Sequence, residues 1–87
     1  MSKLVKIPIR KIFNMEKKIL QIANSVFNHP VDIDSKINDF ESWDSLGQLT
    51  LFMTLESELK IKFTRDEIIE TSSISKILDL LENKYYE

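Results

Sequence analysis

The chain contains no cysteine, one histidine, one glycine and two prolines among its 87 residues. Without cysteine there is no disulfide, no thiolate nucleophile and no sulfur ligand for a metal. The lone histidine, His29, rules out a multi-histidine metal site and leaves any serine–histidine pair to that one residue. It stands beside Pro30, where a helix is expected to end, and a histidine there serves as a cap or is solvated rather than catalytic. The scarcity of glycine and proline disfavours a turn-rich β fold. No apolar run reaches transmembrane length. The N-terminal stretch "MSKLVKIPIRKIFN" lacks both a signal-type apolar core and a small-residue cleavage site, so a cytoplasmic protein without stable membrane insertion is expected.

What is present is an ordinary globular composition, 43% hydrophobic and 30% charged, on a chain long enough for one small domain. The net charge of −2 hides an asymmetry. Residues 1–18 hold Lys3, Lys6, Arg10, Lys11, Lys17 and Lys18 against Glu16, a net of +5, whereas residues 32–87 hold thirteen acids and six bases, a net of −7. An acidic body is a poor nucleic-acid ligand, because phosphate binding needs a cationic surface. We therefore divide the chain into a basic N-terminal extension, 1–13, and a domain, 14–87.

Within that domain a 3.6-residue period begins at Asn14, a candidate N-cap, and runs through Met15, Ile19, Ile22, Ala23 and Val26 until Pro30. A helix around Pro8 would be broken or would begin after it. Residues 31–44, "VDIDSKINDFESWD", form a long connection whose apolar members (Val31, Ile33, Ile37, Phe40, Trp43) are spaced to pack on the core, with a possible helical turn at 35–39. Asp32, Asp34 and Asp39 lack the glycine and closing glutamate of a calcium loop and read as solvated acids. A second helix is predicted over Ser45–Leu59, with Leu46, Leu49, Phe52, Met53 and Leu59 on a broad apolar face widened by Leu51 and Leu55. "TRDE" at 64–67 is a capping box that opens a short helix to about Glu70, and "TSS" at 71–73 caps a last one bearing Ile74, Ile77, Leu78, Leu81 and Tyr85. Three longer helices, one short helix and no strand predict an all-α bundle.

The step "WDSLGQL" at 43–49 has two readings. Ser45-x-x-Gln48 fits a capping box, with Asp44 complementing the helix dipole, and that would account for both residues. Alternatively, an outward hydroxyl at a helix start, beside free backbone N–H groups, is placed to carry a phosphate.

The stretch from Phe40 to about Leu81 resembles the acyl carrier protein family, including peptidyl carrier domains. The likeness lies in D-S-L at 44–46, Leu49, L-F-M at 51–53, Leu55, Glu56, Leu59, Ile61 and Phe63, and in the helix order. It implies a small four-helix bundle of the acyl-carrier type with a long loop between the first and second helices. It further implies that Ser45 bears a covalent 4′-phosphopantetheine arm whose thiol holds an acyl or aminoacyl group as a thioester, and that Asp44 assists the modifying transferase and its Mg²⁺. The partners implied are a phosphopantetheinyl transferase, an acyl- or aminoacyl-loading ligase, and a downstream transferase or synthase. The chain itself would be a monomeric carrier and not an enzyme. Leu46, Gln48, Thr50 and Glu56 are expected on the partner surface, and Leu49, Phe52, Met53 and Ile68 on the cargo side.

Some residues depart from the family pattern. Gly47, Thr50, Thr54 and Ser57 stand at outward positions where fatty-acid carriers often have acids, so steering toward basic partners should be weaker. Trp43 and Gly47 resemble stand-alone carriers of specialised pathways. The rival reading is a helical adaptor that binds a partner through its second helix, with Ser45 only a cap.

Overall fold

The computed structural model describes the backbone of residues 9–85 and the side chains of 15–83. Four helices follow one another: α1 Ile9–Phe27, α2 Ser45–Leu59, α3 Arg65–Glu70 and α4 Ile74–Tyr85. No strand occurs among the described residues, only an isolated antiparallel bridge between Lys36 and Ser73. The fold is all-α, as the periodicity predicts.

The first helix starts earlier than expected. It begins at Ile9, so Asn14 lies inside α1 and does not cap it. A helix that starts after a proline loses nothing, since the first N–H groups of any helix lack an intrahelical partner. At the other end Asn28 takes a left-handed conformation (φ 53°), and the Asn24 side-chain oxygen accepts from Val31 N at 2.7 Å, turning the chain into the long loop.

That loop is packed, not slack. Val31 and Trp43 are buried, while Ile33, Ile37 and Phe40 lie half-buried against the core. Trp43 stacks on Phe27 with centroids 4.9 Å apart. Over 36–39 a single hydrogen-bonded turn forms, close to the 35–39 turn expected, closed by Asp39 N donating to Lys36 O at 3.0 Å. Backbone bonds from Ile37 N to Ser72 O (2.8 Å) and from Ile74 N to Ser35 O (3.1 Å) stitch the loop to the α3–α4 connection.

The core joins Ile19, Ile22, Ala23 and Phe27 of α1 to Leu51, Phe52 and Leu55 of α2 and to Ile74, Ile77 and Leu81 of α4. α2 packs against α1 and α3, and α1 against α4. α2 does not bury the broad face predicted for it. Leu46, Leu49 and Met53 are exposed, at 69%, 43% and 59%. The reason is that α2 is apolar almost all round, and such a helix carries no directional stripe from which the inward side can be read.

Candidate functional site

Asp44, and not Ser45, caps α2. Its backbone is extended (φ −108°, ψ −164°), and its carboxylate accepts from Gly47 N at 2.8 Å while its carbonyl accepts the first helical bond from Gln48 N. The capping box predicted between Ser45 and Gln48 therefore does not form. Ser45 is the first helical residue, exposed, and its hydroxyl has no hydrogen-bond partner among the described residues. An alcohol in this position is open to an incoming group, and the unpaired N–H groups of the first turn favour an anion attached to it.

Gly47 fixes how the helix start meets the rest of the molecule. It faces inward, contrary to its predicted outward position. A Cβ on it would run into the backbone carbonyl of Ser42 and touch the Phe27 ring at 3.1 Å. Ser42 in turn donates its hydroxyl to Phe27 O at 2.9 Å. The loop and the end of α1 thus close directly on α2 behind Ser45.

Gln48 also points inward, so it leaves the partner surface proposed for it. It is 5% exposed. Its oxygen accepts from the Trp43 indole N–H at 2.8 Å, and its amide nitrogen donates to Ile68 O and Thr71 O, each at 2.7 Å. One side chain thereby ties the loop, α2 and the end of α3 together. Breaking these contacts would leave buried groups unmade at about 1–3 kcal/mol each.

Beside Ser45 lies an open groove of about 320 Å³ lined by Ile37, Ser45, Gln48, Leu49, Arg65, Ile68 and Ile69. Of the residues expected on the cargo side, Leu49 and Ile68 line this groove. Phe52 does not: it is fully buried in the core, edge-on to Phe63 at 4.7 Å. Met53 faces solvent and lines no part of the groove. Of the remaining partner-surface residues, Leu46 and Thr50 are exposed, Thr50 donating its hydroxyl back to Leu46 O at 2.9 Å. Glu56 is half-buried, and its carboxylate accepts from Phe63 N at 2.9 Å, which shapes the link after α2.

Ile37, Arg65 and Ile69 belong to the groove, and sequence reasoning missed them. The Thr64–Glu67 capping box, present in the structure, fixes where α3 starts and so which residues its turns present. Nothing local could say that α3 faces α2.

Other candidates turn elsewhere. His29 is exposed, stacked on Phe40 at 3.8 Å with its Nδ1–H donating to Pro30 O at 2.7 Å, and it lines no groove with Ser45. Asp32 accepts from Asp34 N, and Asp39 from Lys36 N and the Lys36 ammonium, so these acids hold turns. The backbone N–H of Lys36, with its ammonium in support, holds the Asp39 carboxyl below the ordinary aspartate value of 3.8. Among the described residues no helix is long and apolar enough to cross a membrane.

Comparison with known proteins agrees with the resemblance. The chain is 30% identical to the acyl carrier protein of Buchnera aphidicola subsp. Schizaphis graminum (strain Sg), over a match covering 82% of this chain and 94% of that relative. No family model matches the sequence, and no solved structure matches it.

Proposed function

The chain belongs to the acyl carrier protein family, and from that premise we propose that Ser45 is the attachment point of a covalent 4′-phosphopantetheine arm. The observation that carries this reading is the division of labour at the start of α2. Asp44 performs the capping, so the Ser45 hydroxyl is exposed and uncommitted, and it opens onto an apolar groove.

The residues present fit the group. Ser45 Oγ would be esterified to the arm's phosphate, and the N–H groups of α2 that precede the capped Gly47 would face that anion. Leu49, Ile68, Ile37 and Ile69 would receive apolar parts of the arm or its cargo. When bound, the arm supplies a terminal thiol that holds an acyl or aminoacyl group as a thioester. Asp44, held rigidly by its cap bond, presents a carboxylate beside the reacting oxygen and is proposed to assist the transferase and its Mg²⁺. Tethering at one residue raises the effective concentration of the cargo at each partner enzyme.

On this reading the protein is a carrier and not an enzyme. A phosphopantetheinyl transferase, a loading ligase and a downstream transferase or synthase are its partners, and its setting is a cytoplasmic, specialised biosynthetic pathway. Leu46 and Thr50, next to Ser45 and exposed, form the partner surface, joined by Met53. Those three residues are uncharged, so steering toward basic partners should be weaker than on an acidic helix face. Residues 14–87 are the carrier domain and 1–13 a basic extension whose last five residues, 9–13, already belong to α1.

The test is intact mass after incubation with coenzyme A, Mg²⁺ and a phosphopantetheinyl transferase. One added arm on the wild type, and none on Ser45→Ala, is expected. An unchanged wild-type mass with a transferase active on a control carrier would leave the adaptor reading.

A further inference from the structure

The groove beside Ser45 has apolar side walls and a polar inner wall. Ile37, Leu49, Ile68 and Ile69 supply the hydrocarbon, and Gln48 lies across the inner side. Behind Gln48 stands Trp43, fully buried, its indole N–H donating to the Gln48 oxygen. The Gln48 amide nitrogen is equally committed, donating to Ile68 O and Thr71 O. All three hydrogen bonds that hold this wall are short; those to Trp43 and Thr71 are buried, and that to Ile68 is partly so. Phe52 is packed in the core and does not line the groove.

We infer that the Gln48 amide acts as a plug between groove and core, so that the groove shelters a short apolar acyl chain and a long one gains nothing more. This rests on the carrier reading above and deepens it by naming the class of cargo. To pass the inner wall, a growing chain would have to displace the Gln48 amide. That would strand the buried Trp43 N–H and the Thr71 carbonyl against hydrocarbon, where no solvent replaces the lost partner. A chain that turned outward instead would leave its added methylenes in water. Neither route stabilises the loaded protein further.

The full chain is loaded by a transferase that accepts acyl-coenzyme A, using coenzyme A and its butanoyl, octanoyl and tetradecanoyl thioesters. Two signals are read on each product: Tm, and the indole N–H resonance of Trp43, the one tryptophan of the chain. The expected result is an indole resonance that holds its position in every product, and a tetradecanoyl form whose Tm matches the octanoyl form. A tetradecanoyl chain that shifts the indole resonance, or that raises Tm beyond octanoyl, overturns the inference. In Gln48→Leu, whose inner wall is apolar, the tetradecanoyl form should exceed the octanoyl form in Tm; identical behaviour to wild type overturns it as well. If that variant does not fold, the wild-type indole signal still decides. A chain that accepts no arm from coenzyme A fails at the earlier step and overturns the carrier reading instead.

Discussion

The Trp43 indole N–H donates to the Gln48 side-chain oxygen at 2.8 Å, five residues on and across the start of α2. Because the same Gln48 amide also holds Ile68 O and Thr71 O, its loss is felt in three places at once. Gln48→Ala should lower unfolding stability by at least about 2 kcal/mol, since buried donors and acceptors lose their partners. Urea denaturation followed by Trp43 fluorescence measures this directly. A loss within about 0.5 kcal/mol, the range of a plain surface change, would contradict the assignment.

The cap and the attachment residue are separable. Asp44→Ala removes the acceptor for Gly47 N and should cost about 1 kcal/mol. Asp44→Asn keeps a good cap and should fold as the wild type does, yet it removes the charge beside Ser45 and should slow arm transfer. Ser45→Ala should change stability by no more than about 0.5 kcal/mol while abolishing the mass gain. Thermal unfolding and modification rates on the same three variants check both halves.

Gly47→Ala should destabilise. Alanine is the better helix former by about 1 kcal/mol in general. Here its methyl would meet the Ser42 carbonyl, a backbone atom that cannot rotate away, so steric cost outweighs propensity. A net loss of about 1–3 kcal/mol is expected, as for overpacked cores. A stabilised variant, by calorimetry, would show that the loop yields easily.

How much of this was legible beforehand depends on where each residue's partners lie. The Thr64–Glu67 box and the limits of α2 are set by neighbours within a turn, and both stand where the sequence places them. Ser73 likewise accepts from Lys76 N at the start of α4. Asp44 and Ser45 are equally good caps by type, so only the backbone conformation could choose between them. Gln48 was misread because S-x-x-Q matches a local motif, whereas its amide is bound by carbonyls on α3 and just beyond it. Phe52 and Met53 are adjacent apolar residues on an evenly apolar helix, and nothing in the spacing says which turns inward. The loop's apolar residues were readable, but its stitching to 72–74 is a tertiary fact.

Acid should loosen the 36–39 turn. The Asp39 carboxyl lies below 3.8, chiefly through the Lys36 backbone N–H. A folded-state value below the unfolded one means a stabilising contribution that is present above about pH 4 and lost as pH falls through the folded value. Carbon-detected NMR titration should place the Asp39 midpoint below 3.8. Lys36→Ala should leave most of that displacement, because the backbone donor remains; a return to 3.8 would assign it to the ammonium instead.

The short helix α3 buries none of its residues fully; Ile68 packs half-buried against the core, and its carbonyl accepts from the Gln48 amide of α2. An element with so little interior surface opens at lower free energy than the rest of a domain. Its amides should exchange with deuterium well ahead of those in α1 and α4. On that expectation the groove has one stationary bank, where Ser45 sits between the Asp44 cap and the close fit at Gly47, and one that opens. Any molecule lodged between them would be released by the second bank's motion alone, with the anchored serine never leaving its place.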